Sequence, residues 1–73
     1  MMSKKYNITP LRCAVILAMA ESNLNVSAVA RKLGMTRYNV GYHMSRIIDI
    51  TGKDPSNFYD LVELVYLVKG AKI

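Results

Sequence analysis

A chain of 73 residues is half the usual length of a domain, which excludes two independently folding units. Ten Lys and Arg against five Asp and Glu give a net charge of +5, a balance that attracts polyanions such as nucleic acid or an anionic membrane surface. One cysteine (Cys13) and one histidine (His43) exclude an intrachain disulfide and a four-ligand zinc site. No apolar run nears the ~20 residues of a membrane-spanning helix, and no secretory signal follows the basic start, so a reducing, cytoplasmic setting is expected. At 52% apolar content the chain has more apolar surface than so small a domain needs for its core, which leaves some for a second chain.

Residues 1–8 read as a flexible basic start, and residues 9–73 as the domain. Thr9-Pro10 places a capping hydroxyl before a proline in the first helical position, so a first helix is predicted over about residues 10–22. Its Leu11, Val15, Ala18 and Met19 make an apolar stripe that Ala14, Ile16, Leu17 and Ala20 widen, as expected of a central helix covered on two sides. Asn23 to Asn25 break the pattern. Asn25 or Ser27 can cap a short second helix over about 26–33, and Gly34 ends it. Thr36 caps a third helix over about 37–50, with Val40, Met44, Ile47 and Ile48 buried and Arg37, Tyr38, Gly41, Tyr42, Ser45, Arg46 and Asp49 turned outward. Thr51-Gly52 stops it. Asp54-Pro55 repeats the cap-then-proline signal and starts a fourth helix over about 55–69. No period-two pattern occurs, so the fold class is all-α, four helices without a β-wing.

The densest signal lies in Val26 to Arg46. A helix-turn-helix needs a small residue where its two helices cross, a glycine four residues later for the tight turn, and an apolar residue on the second helix to lock the angle. Ala30, Gly34 and Val40 stand at those spacings, with Val29, Leu33, Met35 and Met44 as the surrounding apolar set. Ser22 to Ile48 holds no acid but holds Arg31, Lys32, Arg37 and Arg46. A helix entering a DNA groove approaches a row of phosphates, and an acid-free surface meets that electrostatic demand.

The segment NVSAVARKLGMTRYNVGYHMSRI followed by TGKDPSNFYDLVEL resembles the C-terminal helix-turn-helix of the PucR and sugar diacid regulator family. The marks are Asn25-Val26-Ser27, Thr36 to Asn39, Tyr42, Arg46-Ile47, and the Thr51-Gly52 and Asp54-Pro55 pairs before a last helix. The chain departs from that family at His43 and Ser45, where basic residues are expected, and at Ile48-Asp49. Its early motif is also similar to that of LysR-type and Fis-like domains. In the PucR family the domain ends a longer regulator; this chain, with Met1 at its start, reads as nearly all DNA-binding domain. The resemblance implies a transcription regulator that binds DNA.

In a docked helix-turn-helix the first turns of the second helix reach base edges, while the start of the first meets the backbone. Arg37 and Tyr38, with Tyr42 one turn on, are therefore the candidates for base contacts. Ser27, Thr36 and Asn39 can donate to phosphates or serve only as caps. Lys32 and Arg46 suit the phosphate backbone. Gly41 costs about 1 kcal/mol against alanine in mid-helix, and either a close approach of DNA or plain tolerance accounts for it. His43 and Cys13 read as packing residues. With no Ser-His-acid group, no paired carboxylates and no phosphate loop, no enzyme activity and no cofactor are expected. The expected partners are double-stranded DNA and, through the apolar fourth helix, a second copy of the chain. The alternative is an interaction module that modulates another regulator through that helix; a membrane-surface role ranks third.

Overall fold

In the computed structural model, which describes residues 8–70, every helix begins at a side-chain cap. The Thr9 hydroxyl accepts from the Arg12 N–H at the head of α1 (Pro10–Glu21), with Pro10 in its first turn. Asn25, not Ser27, caps α2 (Val26–Leu33), its side-chain oxygen accepting from the Ala28 N–H at 3.1 Å. Thr36 caps α3 (Arg37–Thr51) through the Asn39 N–H at 3.0 Å. Asn57 caps α4 (Phe58–Val68) through the Asp60 N–H. Each cap satisfies one of the backbone donors left over at a helix start.

The fourth helix starts three residues later than the Asp54-Pro55 signal predicts. The Asp54 carboxylate accepts from both the N–H and the hydroxyl of Ser56 and closes a local turn, while Pro55 is buried in the connection. Asp54 donates its own N–H to Asp60, and Thr51 bonds to Ile47 and Lys53, so the α3–α4 loop is tied down at both ends. An Asp followed by proline thus made a turn here rather than a cap, because Asn57 lay nearer the apolar run.

Helix α1 is the centre of the molecule. It packs on α2, α3 and α4, whereas α4 packs on α1 alone among the helices. Val15, Ile16, Ala18 and Met19, all buried, point to two sides of α1 and meet Val29 and Ala30 of α2, Val40 and Ile47 of α3, and Leu61, Leu64 and Val68 of α4 in one core. Cys13 is half-buried at its margin, and burial pushes its thiol pKa up. The expectation of a flexible start at residues 1–8 concerns positions outside the described residues except for Ile8, which is buried as part of the core. Leu11 and Ala20, expected inside, are exposed. On α3 the buried stripe runs through Val40, Ile47 and Thr51 with Met44 half-buried; Ile48, 40% exposed, lies on the stripe's edge, because an α-helix turns 100° per residue and the i, i+7, i+11 row passes beside it.

Candidate nucleic-acid interface

The α2–α3 connection begins at Gly34, whose φ of +67° is the left-handed conformation that glycine adopts without strain. Its turn is closed by the Met35 N–H donating to the Ala30 carbonyl at 2.8 Å, a six-to-one bond typical of a helix ended by glycine. Ala30 and Val40 are buried on either side of the turn, with Leu33, Met35 and Met44 packed around them. The triplet read from spacing is therefore the hinge of a helix-turn-helix, and α3 is its second, outward helix.

Turning α3 on that hinge leaves Arg37, Tyr38, Asn39, Tyr42, Ser45 and Arg46 exposed. Tyr38 is 82% and Tyr42 52% exposed, large values for aromatic side chains. Arg37, Tyr38, Gly41, Tyr42 and Ser45 together line a shallow concavity on this face. Gly41 lies half-buried on its floor, yet a Cβ added there would meet nothing within 4 Å. No packing constraint of the described protein requires glycine at this position.

The remaining site candidates are not gathered into that concavity. Thr36, whose hydroxyl is engaged as a cap, and Asn39 stand exposed at the head of α3. Ser27 is half-buried near the start of α2. Lys32 forms an ion pair with Glu21 of α1 at 3.0 Å, and Arg46 with Asp49 one turn along α3 at 3.3 Å. The acid-free stretch is thus acid-free in sequence only, since the fold returns Glu21 to it and Asp49 closes back on it. Arg31 and Arg37 form no ion pair among the described residues and keep their charge unmatched.

Two features escaped the sequence reading. Arg12 of α1 reaches α3, its Nε donating to His43 Nδ1 at 3.2 Å, and the His43 ring meets Tyr42 edge-on with centroids 5.3 Å apart. Burial first, and the Arg12 guanidinium second, hold His43 below its ordinary pKa of 6.5. A contact spanning 31 residues between two polar side chains leaves no periodic trace that could have announced it. On the other side of the molecule, Met19, Leu24, Phe58, Leu61, Val62 and Val65 border an apolar groove of about 340 Å³ between α1 and α4. Excess apolar residues on α4 signalled a free face, but not that the end of α1 and the left-handed Leu24 would form its other wall.

Among the described residues no three His, Cys, Asp or Glu side chains are grouped to hold a metal ion, and no helix is long and apolar enough to cross a membrane. Compared with known proteins, residues 13–69 match the family model described as the PucR C-terminal helix-turn-helix domain. No curated protein and no solved structure matches the chain.

Proposed function

The chain belongs to the family of PucR C-terminal helix-turn-helix domains, a class of DNA-binding transcription regulators, and from that premise we propose that it reads specific sites on duplex DNA by inserting α3 into the major groove. The observation that carries the reading is the exposed Arg37, Tyr38 and Tyr42 set around Gly41 on one concave face, with Arg37 unmatched by any acid among the described residues. Arg37 forks onto a guanine edge, the tyrosines meet thymine methyls or phosphates, and Gly41 lets the helix lie close against the groove. Ser27, Thr36 and Asn39 donate to phosphates at the two helix starts. Lys32 and Arg46 meet the backbone after exchanging Glu21 and Asp49 for phosphate. The setting is cytoplasmic, and neither cofactor nor catalysis enters.

The same reading pairs two copies through α4. Phe58 and Tyr59 are 59% and 76% exposed, and Val62 and Tyr66 extend the same helix's apolar surface. Aromatic side chains bury about 150–250 Å² each, so these residues supply a large part of the ~800 Å² per partner of a standard interface. Helix α1 stands between α4 and the α2–α3 pair, so meeting through α4 directs the two α3 faces away from the contact. Reading two half-sites on one duplex requires such a pair to present its α3 helices roughly 34 Å apart, the distance between successive major grooves.

The apolar face of α4 also favours a second reading, in which the domain docks another regulator and leaves DNA alone. Anisotropy titration of a labelled duplex between about 50 and 200 mM salt separates the two: a DNA-binding chain loses affinity steeply, by a slope near −0.9 per phosphate contact. Binding that is absent, or insensitive to salt, favours the docking module.

A further inference from the structure

We infer that Arg12, a residue of α1 outside the helix-turn-helix, is a phosphate-contacting group of the DNA interface, held beside α3 by its bond to His43. The inference rests on the reading of α3 as the DNA-facing helix.

Its support is the state in which Arg12 is left. The other cations with an ion-pair partner near this face, Lys32 and Arg46, meet the carboxylates of Glu21 and Asp49. Arg12 meets an imidazole nitrogen instead, and among the described residues no acid pairs with it. A guanidinium has five N–H donors, and the bond from Nε consumes one while neutralising no charge. Because Nδ1 accepts, the neutral imidazole carries its proton on Nε2, and burial together with Arg12 keeps it neutral by holding its pKa below the ordinary value. Arg12 is thus half-buried and oriented, with its charge uncompensated within the described protein. A partly exposed guanidinium with N–H donors to spare and no carboxylate beside it among the described residues is open to an anion from outside. A guanidinium fork matches the paired oxygens of a phosphate.

Position names the source of that anion. His43 packs edge-on against Tyr42, at an interplanar angle of 69°, and Tyr42 lines the same concavity as Arg37 and Tyr38. Arg12, His43 and Tyr42 form a continuous row from α1 to the middle of the α3 face. A helix seated in the major groove is flanked by phosphates, and a cation fixed at the edge of its recognition face lies where the backbone passes.

The test compares the salt dependence of duplex binding for the parent chain, Arg12→Ala and Arg12→Gln, with labelled duplexes of two unrelated sequences. Gln keeps a donor for His43 without the charge, so it decides the matter if the alanine variant melts below assay temperature by circular dichroism. The expected result is a slope of log affinity against log salt shallower by about one unit in both variants, on both duplexes alike. Parent binding with an undiminished slope in the folded variants overturns the inference and leaves the role of α3 standing. A loss confined to one duplex sequence overturns the phosphate assignment in favour of a base contact. Absence of salt-dependent duplex binding by the parent itself overturns both the inference and the reading beneath it.

Discussion

Helices α3 and α4 both display tyrosines to solvent, and the surroundings of those tyrosines differ in kind. On α3, Tyr38 and Tyr42 share a concavity with Arg37, Gly41 and Ser45. On α4, Tyr59 lies against Phe58, with ring centroids 5.4 Å apart, and Val62 and Tyr66 continue the apolar surface; the acids of that helix are engaged, Glu63 with Lys53 and Asp60 with the Asp54 N–H. An exposed aromatic is therefore not one kind of signal. Among unmatched cations and small residues it suits a polyanion with apolar base edges; among other apolar side chains, with the local charges already satisfied, it suits a protein surface.

The sharpest way to break that distinction is to put a charge on the α4 face. Phe58→Glu is expected to leave the helical signal intact, because Phe58 is mostly exposed, and to convert a dimer into a monomer in sedimentation analysis. Affinity for a DNA site with two half-sites then falls by about 10²- to 10⁴-fold as avidity is lost, while binding to a single half-site is unchanged. An unaltered oligomeric state removes α4 from the interface.

The corresponding change on α3 acts on DNA without touching assembly. Arg37→Ala is expected to weaken binding to the preferred site by about 1–3 kcal/mol and to relax discrimination at one base position, measured by competition with singly altered duplexes. If Arg37→Ala and Phe58→Glu both change assembly and neither changes single-site binding, the two faces are one protein-binding surface and the contrast fails.

Gly41 sharpens the comparison further, since the free protein and the complex make opposite demands on it. With open space around the position and an ordinary helical backbone, Gly41→Ala is expected to raise stability by about 0.5–1 kcal/mol in thermal or urea unfolding, yet to lower DNA affinity by placing a methyl group where the groove comes close. A variant that is more stable and binds as tightly as the parent shows that glycine is merely tolerated there.

The elements visible in the sequence are those encoded by short-range rules. Thr9, Asn25 and Thr36 could be read as caps because a cap acts three residues away, and the hinge because Ala30, Gly34 and Val40 lie within one local unit. Errors arose where two local rules competed or where distant elements decided. Asp54-Pro55 satisfied a helix-start rule and a turn rule at once, and the buried Pro55 and the Asn57 cap settled it as a turn. Ile48 and Leu11 fit their stripes by period but lie where no neighbouring helix covers them. Lys32 stands in an acid-free stretch of sequence, yet the fold brings Glu21 to it from α1, and Arg12 meets His43 only because α1 packs across α3.

The smallest expected effect concerns pH and falls on the α3 side alone. His43 is held below its ordinary pKa of 6.5 by burial and by Arg12, so as pH falls below 6.5 the unfolded chain takes up a proton that the folded chain resists. The unfolded state then binds more protons than the folded one, and stability declines with falling pH until the lowered folded pKa is passed. The contribution is complete above pH 6.5 and lost on the acid side. Protonation also removes the acceptor at Nδ1, so the bond from Arg12 ends. Parent chain and His43→Gln unfolded in urea at a series of pH values from neutral to mildly acid should differ in slope, the parent losing stability more steeply, because glutamine does not titrate. The Phe58→Glu variant, altered on the opposite side of α1, should keep the parent's dependence through the histidine range; a changed slope there shows that the two faces are coupled through α1 rather than independent.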